Sequence, residues 1–373
     1  MRLKLIFFTQ QLKINNGENM QTIKYQISNS TETAQLPEKL AFGKIFTDHL
    51  FEMNYVYGKG WVEPTIKNYG NLSLDPATMV FHYGQAIFEG LKAFKTVSGK
   101  IALFRVDKHL ERLNNSARKM CIPEVDTDLV LEALKELIRI DKDWVPDAKG
   151  NSLYIRPFIF GTDPQLGVKP SKSYKLLIIL SPVGAYYASG FKPVKILAQD
   201  DYVRAVRKGV GDCKTSGNYA ASLYAGEEAA KKGFSQVLWL DGVELKYIDE
   251  VGAMNIFIEM KDEIVTPALT GSILPGITRY TVIHLLKEWG ENIVERRISI
   301  DELVSEYDKG NVKSVFGTGT AAVISSVESL TFKDRVLKFN DGEAGELELK
   351  LFNEITAIQY GLKPDIYNWL TYI

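Results

Sequence analysis

Apolar positions change their period along the chain, and the changes mark its elements. Ile101 to Arg105 is mostly apolar, as a covered strand requires. Leu110, Leu113 and Ala117 then recur at helical spacing, with Asp107 as the expected N-cap. Val130, Leu134, Leu137 and Ile138 form a second helical stripe after Asp126-Thr127. Leu153 to Phe160 and Tyr174 to Leu180 predict covered strands. Around Ser181 to Pro193 the periodicity gives way to Pro, Gly, Ala, Tyr and Ser, so a linker is expected at 186–193.

Val194 to Ala198 resumes strand character, and a helix is expected from Asn218 to Lys232, with Gly233 as its C′ residue. Gln236 to Leu240 predicts a strand, Asp241-Gly242 a hairpin turn, and Met254 to Met260 another strand. A helix is expected between Gly276 and Gly290, and Ser299-Ile-Asp-Glu302 reads as a capping box. Val315 to Ile324 predicts a strand, a glycine turn and a return, and the last helix spans about Leu349 to Gln359. Strands and helices in two blocks predict an α+β (mixed α/β) chain of two domains. The expected boundaries are a partly disordered N-terminal extension over 1–40, a smaller N-terminal α/β domain over 41–185, and a larger C-terminal domain over 194–373.

The bulk numbers narrow the function. A length of 373 residues suits two cores, and a formal net charge of −1 gives no sign of the basic face a nucleic-acid binder needs. Two cysteines, Cys121 and Cys213, make neither a disulfide framework nor a zinc site, and fit a reducing, cytoplasmic setting. His49, His82, His109 and His284 lack metal-ligand spacing, so no metal is expected. The apolar run Leu5 to Phe8 is too short for a signal-peptide core, and no segment reaches membrane-span length. Met20 is a candidate start, which would make the residues before it a dispensable tail.

Three segments carry candidate chemistry. Lys214 lies in Gly209-Val-Gly-Asp-Cys-Lys214-Thr-Ser-Gly-Asn-Tyr219, a flexible amine between glycines that let the backbone approach another group. Glu250 follows the expected turn, and Leu274-Pro-Gly-Ile-Thr278 opens a helix whose N–H groups suit an anion. Each alone reads as an ordinary loop lysine, loop carboxylate or helix cap. Together they supply the amine, carboxylate and phosphate cradle that pyridoxal 5'-phosphate (PLP) needs. Gly317-Thr-Gly-Thr320 is either a second set of donors or a tight turn. Arg156 interrupts an apolar strand and must meet either a protein carboxylate or an anionic ligand, the second being favoured. Arg112 points away from its helix's apolar stripe and reads locally as solvated. Phe42, Tyr83 and Phe88 read as core aromatics.

From about residue 40 onward the chain resembles the branched-chain amino-acid aminotransferases, PLP-dependent enzymes of fold type IV. The resemblance rests on motifs in the family's order: Phe42-Gly-Lys-Ile-Phe-Thr-Asp-His49, Tyr83-Gly-Gln-Ala-Ile-Phe-Glu-Gly-Leu-Lys-Ala-Phe94, Tyr154-Ile-Arg-Pro157, the Lys214 segment, Gln236 to Leu240, Glu250-Val-Gly252, Leu274 to Thr278 and Gly317-Thr-Gly-Thr-Ala321. It implies that Lys214 is the Schiff-base lysine, Glu250 partners the pyridine nitrogen and Tyr219 bonds the phenolic oxygen. It also implies that Arg112, Ile277, Thr278 and Thr320 hold the phosphate, against the local reading of Arg112. Phe42, Tyr83, Phe88, Tyr154, Ala253 and Ala321 would shape the substrate pocket, with Arg156 nearby for the side-chain carboxylate of glutamate. The loop Leu166-Gly-Val168 would reach the neighbouring subunit's site, which implies a homodimer.

Two departures stand out. Ala253 replaces a threonine of some relatives, and Ala322 and Ser325 occupy the places of a Cys-x-x-Cys pair, so no thiol switch of that kind is expected. The implied reaction exchanges an amino group between leucine, isoleucine or valine and 2-oxoglutarate. A D-amino-acid transaminase or an aminodeoxychorismate lyase would share the lysine and glutamate, but Tyr154-Ile-Arg-Pro157 and Tyr83…Phe88 disfavour both. A PLP-binding protein without catalysis is the alternative of another class, opposed by intact Lys214, Tyr219 and Glu250.

Overall fold

Changes of period along the chain resolve into two sheets, one in each of two compact units, residues 1–186 with 358–373 and residues 187–357. The computed structural model describes residues 11–15, 20–27, 36–184 and 192–373. The Leu5 to Phe8 run and residues 186–191 of the expected linker lie outside the described residues.

The first unit contains β1 (Gln11–Asn15), β2 (Met20–Gln26), β3 (His49–Val56), β4 (Gly60–Asn68), β5 (Ala86–Phe88), β6 (Leu91–Lys95), β7 (Ile101–Phe104), β8 (Ser152–Gly161) and β9 (Ser173–Val183). They run in the order β1-β2-β4-β3-β9-β8-β6-β7, with β5 also on β8. The first two strands lie in the expected N-terminal extension, and β9 carries strand structure through Ser181 to Val183, where the sequence shows only a change in composition. Helices α1 (Met79–Tyr83), α2 (Val106–Lys119) and α3 (Thr127–Ile140) accompany the sheet. The stripes of α2 and α3 enter one core with Phe51, Leu153 and Ile178. Asp126 caps α3, its carboxylate accepting from the backbone of Asp128 and Leu129. Asp107 does not cap α2. Arg105 holds that position at φ 50°, and Asp107 falls in the first turn, where a negative charge favours the helix dipole.

The second unit centres on β10 (Val194–Gln199), which is parallel to both β11 (Gln236–Leu240) and β17 (Val323–Phe332). Its other strands are β12 (Ile248–Val251), β13 (Asn255–Met260), β14 (Ile264–Thr266), β15 (Ile293–Glu295), β16 (Val312–Gly319) and β18 (Arg335–Lys338). Its helices are α4 (Ser216–Ala220), α5 (Leu223–Lys231), α6 (Ile277–Glu288) and α7 (Ile300–Asp308), and α8 spans Glu346–Gln359. Ser299 caps α7 through the backbone of Glu302. The final strand, β19 (Leu370–Tyr372), pairs with β7, so residues 358–373 group with the first unit rather than with the domain expected to begin at 194. Sheets of mixed strand direction with helices make this an α+β protein.

Three local expectations fail for identifiable reasons. The helix expected from Asn218 to Lys232 is two helices, broken where Ser222 N–H and Oγ both return to the carbonyl of Tyr219. Asp241-Gly242 is no two-residue turn. The Asp241 carboxylate accepts from the backbone of Val243, Glu244, Lys246 and Tyr247 and organises a wider loop. Glu250 is not a loop carboxylate but a buried residue of β12.

Candidate active site

In the second unit, short-range constraints draw four chain segments together. Lys214 lies immediately before α4, and its Nζ donates to Tyr219 Oη at 2.7 Å. Its loop packs on the segment at Ser272: a Cβ at Gly211 would overlap the Ser272 carbonyl, so only glycine permits this approach. Arg204 Nη2 bonds both carbonyls, Gly211 O at 3.3 Å and Ser272 O.

Glu250 is 3% exposed. Its Oε2 lies 2.9 Å from Arg204 Nε, and its Oε1 accepts from Leu274 N–H at 2.8 Å and, more weakly, from Asn255 Nδ2 at 3.4 Å. Asn255 also donates to Leu274 O, fixing the chain just before α6. A small cavity of about 20 Å³ opens among Arg204, Tyr219, Glu250, Ala253 and Leu274. Beside it, burial pushes the Asp249 carboxyl up to about 6; a hydrogen bond from Ser272 opposes the rise and the charge of Glu250 adds to it.

Helix α6 starts after Gly276, which provides no side-chain cap, and Ile277 and Thr278 fill its buried first turn. The fourth segment arrives on β16, where Gly317 packs closely against the side chains of Val251 and Met254. Thr320 and Ala321 lie half-buried in the turn that follows, and the neighbouring Thr318 hydroxyl is buried without a hydrogen-bond partner among the described residues.

The first unit gathers the remaining candidates into three groups. Arg156 stacks over Phe88 at 4.7 Å and Tyr154 at 5.4 Å, and donates to Tyr154 Oη at 3.2 Å. Phe42 meets Tyr154 edge-on with ring centroids 4.9 Å apart. Tyr83 ends α1 and donates to the carbonyl of Leu166, while Val168 is 84% exposed. Arg112 is buried, its Nε and Nη2 donating to the two oxygens of Glu89 at 2.7 and 2.9 Å, with His109 Nδ1 at 2.9 Å from Glu89 Oε2. The solvated reading of Arg112 is therefore wrong, because a carboxylate outside the helix draws the guanidinium inward. Phe88 ends β5 and meets Arg156, while the next residue, Glu89, meets Arg112.

Two residues were missed. Glu89 carried a signal, being a lone carboxylate in the apolar run Ala86 to Phe94. Arg204 carried none, since nothing local separates it from Arg207. The candidates divide between the units, with Lys214, Tyr219, Glu250, Ala253, Ile277, Thr278, Thr320 and Ala321 in the second and the others in the first.

Comparison with known proteins accords with this chemistry. Residues 86–330 match the amino-transferase class IV family. Branched-chain-amino-acid aminotransferase 2 of Bacillus subtilis (strain 168) is 55% identical over 351 residues, 94% of this chain and 97% of that protein. Among solved structures, the Escherichia coli branched-chain amino acid aminotransferase superposes with a TM-score of 0.71 at 27% identity, covering 87% of this chain and 98% of that one. The T.th. branched-chain amino acid aminotransferase complexed with N-(5'-phosphopyridoxyl)-L-glutamate gives 0.69 at 27% identity, covering 86% and 98%.

Proposed function

The chain belongs to the amino-transferase class IV family, and we propose that Lys214 performs its amino transfer, between L-leucine, L-isoleucine or L-valine and 2-oxoglutarate. The activity is that of a branched-chain amino-acid aminotransferase with PLP as cofactor. The observation that carries the assignment is the Lys214 Nζ to Tyr219 Oη bond of 2.7 Å in a unit where Tyr219 and Glu250 line one cavity.

The donor set suits PLP. A primary amine stands beside a phenol, a buried carboxylate is paired with an arginine, and a helix begins without a side-chain cap. When bound, PLP supplies a carbonyl for the amine and a ring that accepts charge from the substrate's α-carbon. Lys214 Nζ is the base that takes the α-proton. Tyr219 Oη orients that amine, and Glu250 holds a proton on the ring nitrogen. Ile277, Thr278 and Thr320 supply phosphate donors in the second unit, and Arg112, braced by Glu89, is the phosphate arginine of the first. Phe42, Tyr83, Phe88 and Tyr154 in the first unit and Ala253 and Ala321 in the second are the side chains assigned to the substrate, where apolar contact discriminates by about 1–3 kcal/mol per methylene. Arg156 receives the side-chain carboxylate of glutamate. The exposed Leu166 and Val168 suit a loop completed by a second copy, hence a homodimer. A chain with only two cysteines suits a cytoplasmic location.

The test is a single half-reaction. L-leucine should convert the cofactor's aldehyde absorption to that of the amine form, and D-leucine should not. Lys214→Ala should keep its far-ultraviolet circular dichroism while losing at least about 10²-fold in rate. Retained turnover in that variant removes Lys214 from the chemistry.

A further inference from the structure

Glu250 is nearly withdrawn from water, and withdrawal alone favours the neutral form of a carboxylic acid. A neutral carboxyl cannot hold a proton on a ring nitrogen by charge, so something must keep Glu250 ionised. Its backbone and amide donors, Leu274 N–H and Asn255 Nδ2, are neutral. Among the groups around it, Asp249 is adjacent in sequence and of like charge, and Tyr219 and Cys213 line the same cavity without bringing positive charge. Arg204 supplies the cation, with Nε 2.9 Å from Oε2 and a side chain 8% exposed.

The same guanidinium also binds Gly211 O and Ser272 O. Gly211 lies three residues before Lys214. One side chain thus ties the lysine loop to the carboxylate strand and sets Glu250 relative to both.

We propose that Arg204 is a positioning residue for the amino transfer, keeping Glu250 anionic and fixing its carboxylate at the wall of the cavity. This rests on the reading that Glu250 faces the cofactor's ring nitrogen, and the experiment separates the two. Arg204→Gln removes the charge but leaves an amide to bond the two carbonyls. Arg204→Lys keeps a charge. Both are compared with Glu250→Gln and with the double variant Arg204→Gln/Glu250→Gln, each as cofactor-loaded protein of checked melting temperature.

Infrared difference spectra at pH 7 should show a protonated-carboxyl carbonyl band in Arg204→Gln that is absent from the wild type and from the double variant. In Arg204→Gln, kcat should fall at least about 30-fold while KM stays within about 3-fold, the pattern of an interaction made in the transition state. The double variant should be no slower than Glu250→Gln, and Arg204→Lys should recover to within about 10-fold of the wild type. No new band, with near-wild-type kcat in Arg204→Gln while Glu250→Gln is slow, overturns the proposal and leaves the role of Glu250 standing. Wild-type turnover in Glu250→Gln overturns that role first, and the proposal with it. If Arg204→Gln does not accumulate, Arg204→Lys decides: a loss as deep as that of Glu250→Gln contradicts a role through charge.

Discussion

Glu89 in the first unit and Glu250 in the second are both buried carboxylates paired with an arginine, and they are held differently. Glu89 accepts both Nε and Nη2 of Arg112, has His109 Nδ1 at 2.9 Å and bonds the following backbone N–H of Gly90. Glu250 has Arg204 Nε at 2.9 Å, accepts from Leu274 N–H and Asn255 Nδ2, and lines a cavity. Charged and potentially charged partners surround the first; the second stands at the wall of a small cavity. Burial of a charge therefore does not by itself mark a reactive group. What separates the pair is that Glu250 lines a cavity while Glu89 is enclosed by its partners.

The comparison breaks most directly on stability. Glu89→Gln removes one partner of a buried pair and should cost about 3–5 kcal/mol in urea unfolding. Glu250→Gln leaves Arg204 its two carbonyls, and should cost about 1–3 kcal/mol. Equal losses would mean that both carboxylates serve only to hold structure.

Acidity sharpens the contrast next. Burial raises Glu89, but the Arg112 charge and the His109 hydrogen bond outweigh it and hold the carboxyl well below its ordinary 4.5. The stability it contributes is present above that value and is lost as pH falls through the folded pKa. Asp249, the neighbour of Glu250, shifts the opposite way, from 3.8 up to about 6 through burial. Its favourable contribution is complete below pH 3.8 and is lost as pH rises through about 6. Asp249→Asn should therefore gain about 1–3 kcal/mol over the wild type at pH 8 and nothing near pH 4. Urea melts across this range check it, and a gain that does not depend on pH contradicts it.

Asp126→Ala sets the scale for both. It removes a cap on α3 without touching either carboxylate, and should cost about 1 kcal/mol with kcat unchanged. A cost as large as that of Glu89→Gln would show that buried charge is not what distinguishes Glu89.

Much of the site was legible one segment at a time. Glycines around Lys214 and before Thr278 announced close backbone approach, and Gly211 does pack on the Ser272 carbonyl. The capped starts of α3 and α7 were equally local, since each needs only residues three positions apart. Arg112 was misread because helical periodicity describes one helix and cannot contain the carboxylate of Glu89, 23 residues earlier. Asp241 was misread because a short turn and a wider loop organised by four backbone N–H groups share the same Asp-Gly start. Arg204 escaped notice because its importance lies wholly in what it meets.

The amino-acid order alone determined where several of the strands and helices run, which stripes of α2 and α3 enter the core, and which amine, carboxylate and helix N-terminus were available for chemistry. Those properties follow from spacing, caps and backbone freedom within a few residues. Tertiary structure decided which charges are buried and which guanidinium meets which carboxylate. Ionisation and proton transfer depend on distance and on exclusion of water, and both are set by chain segments far apart in sequence.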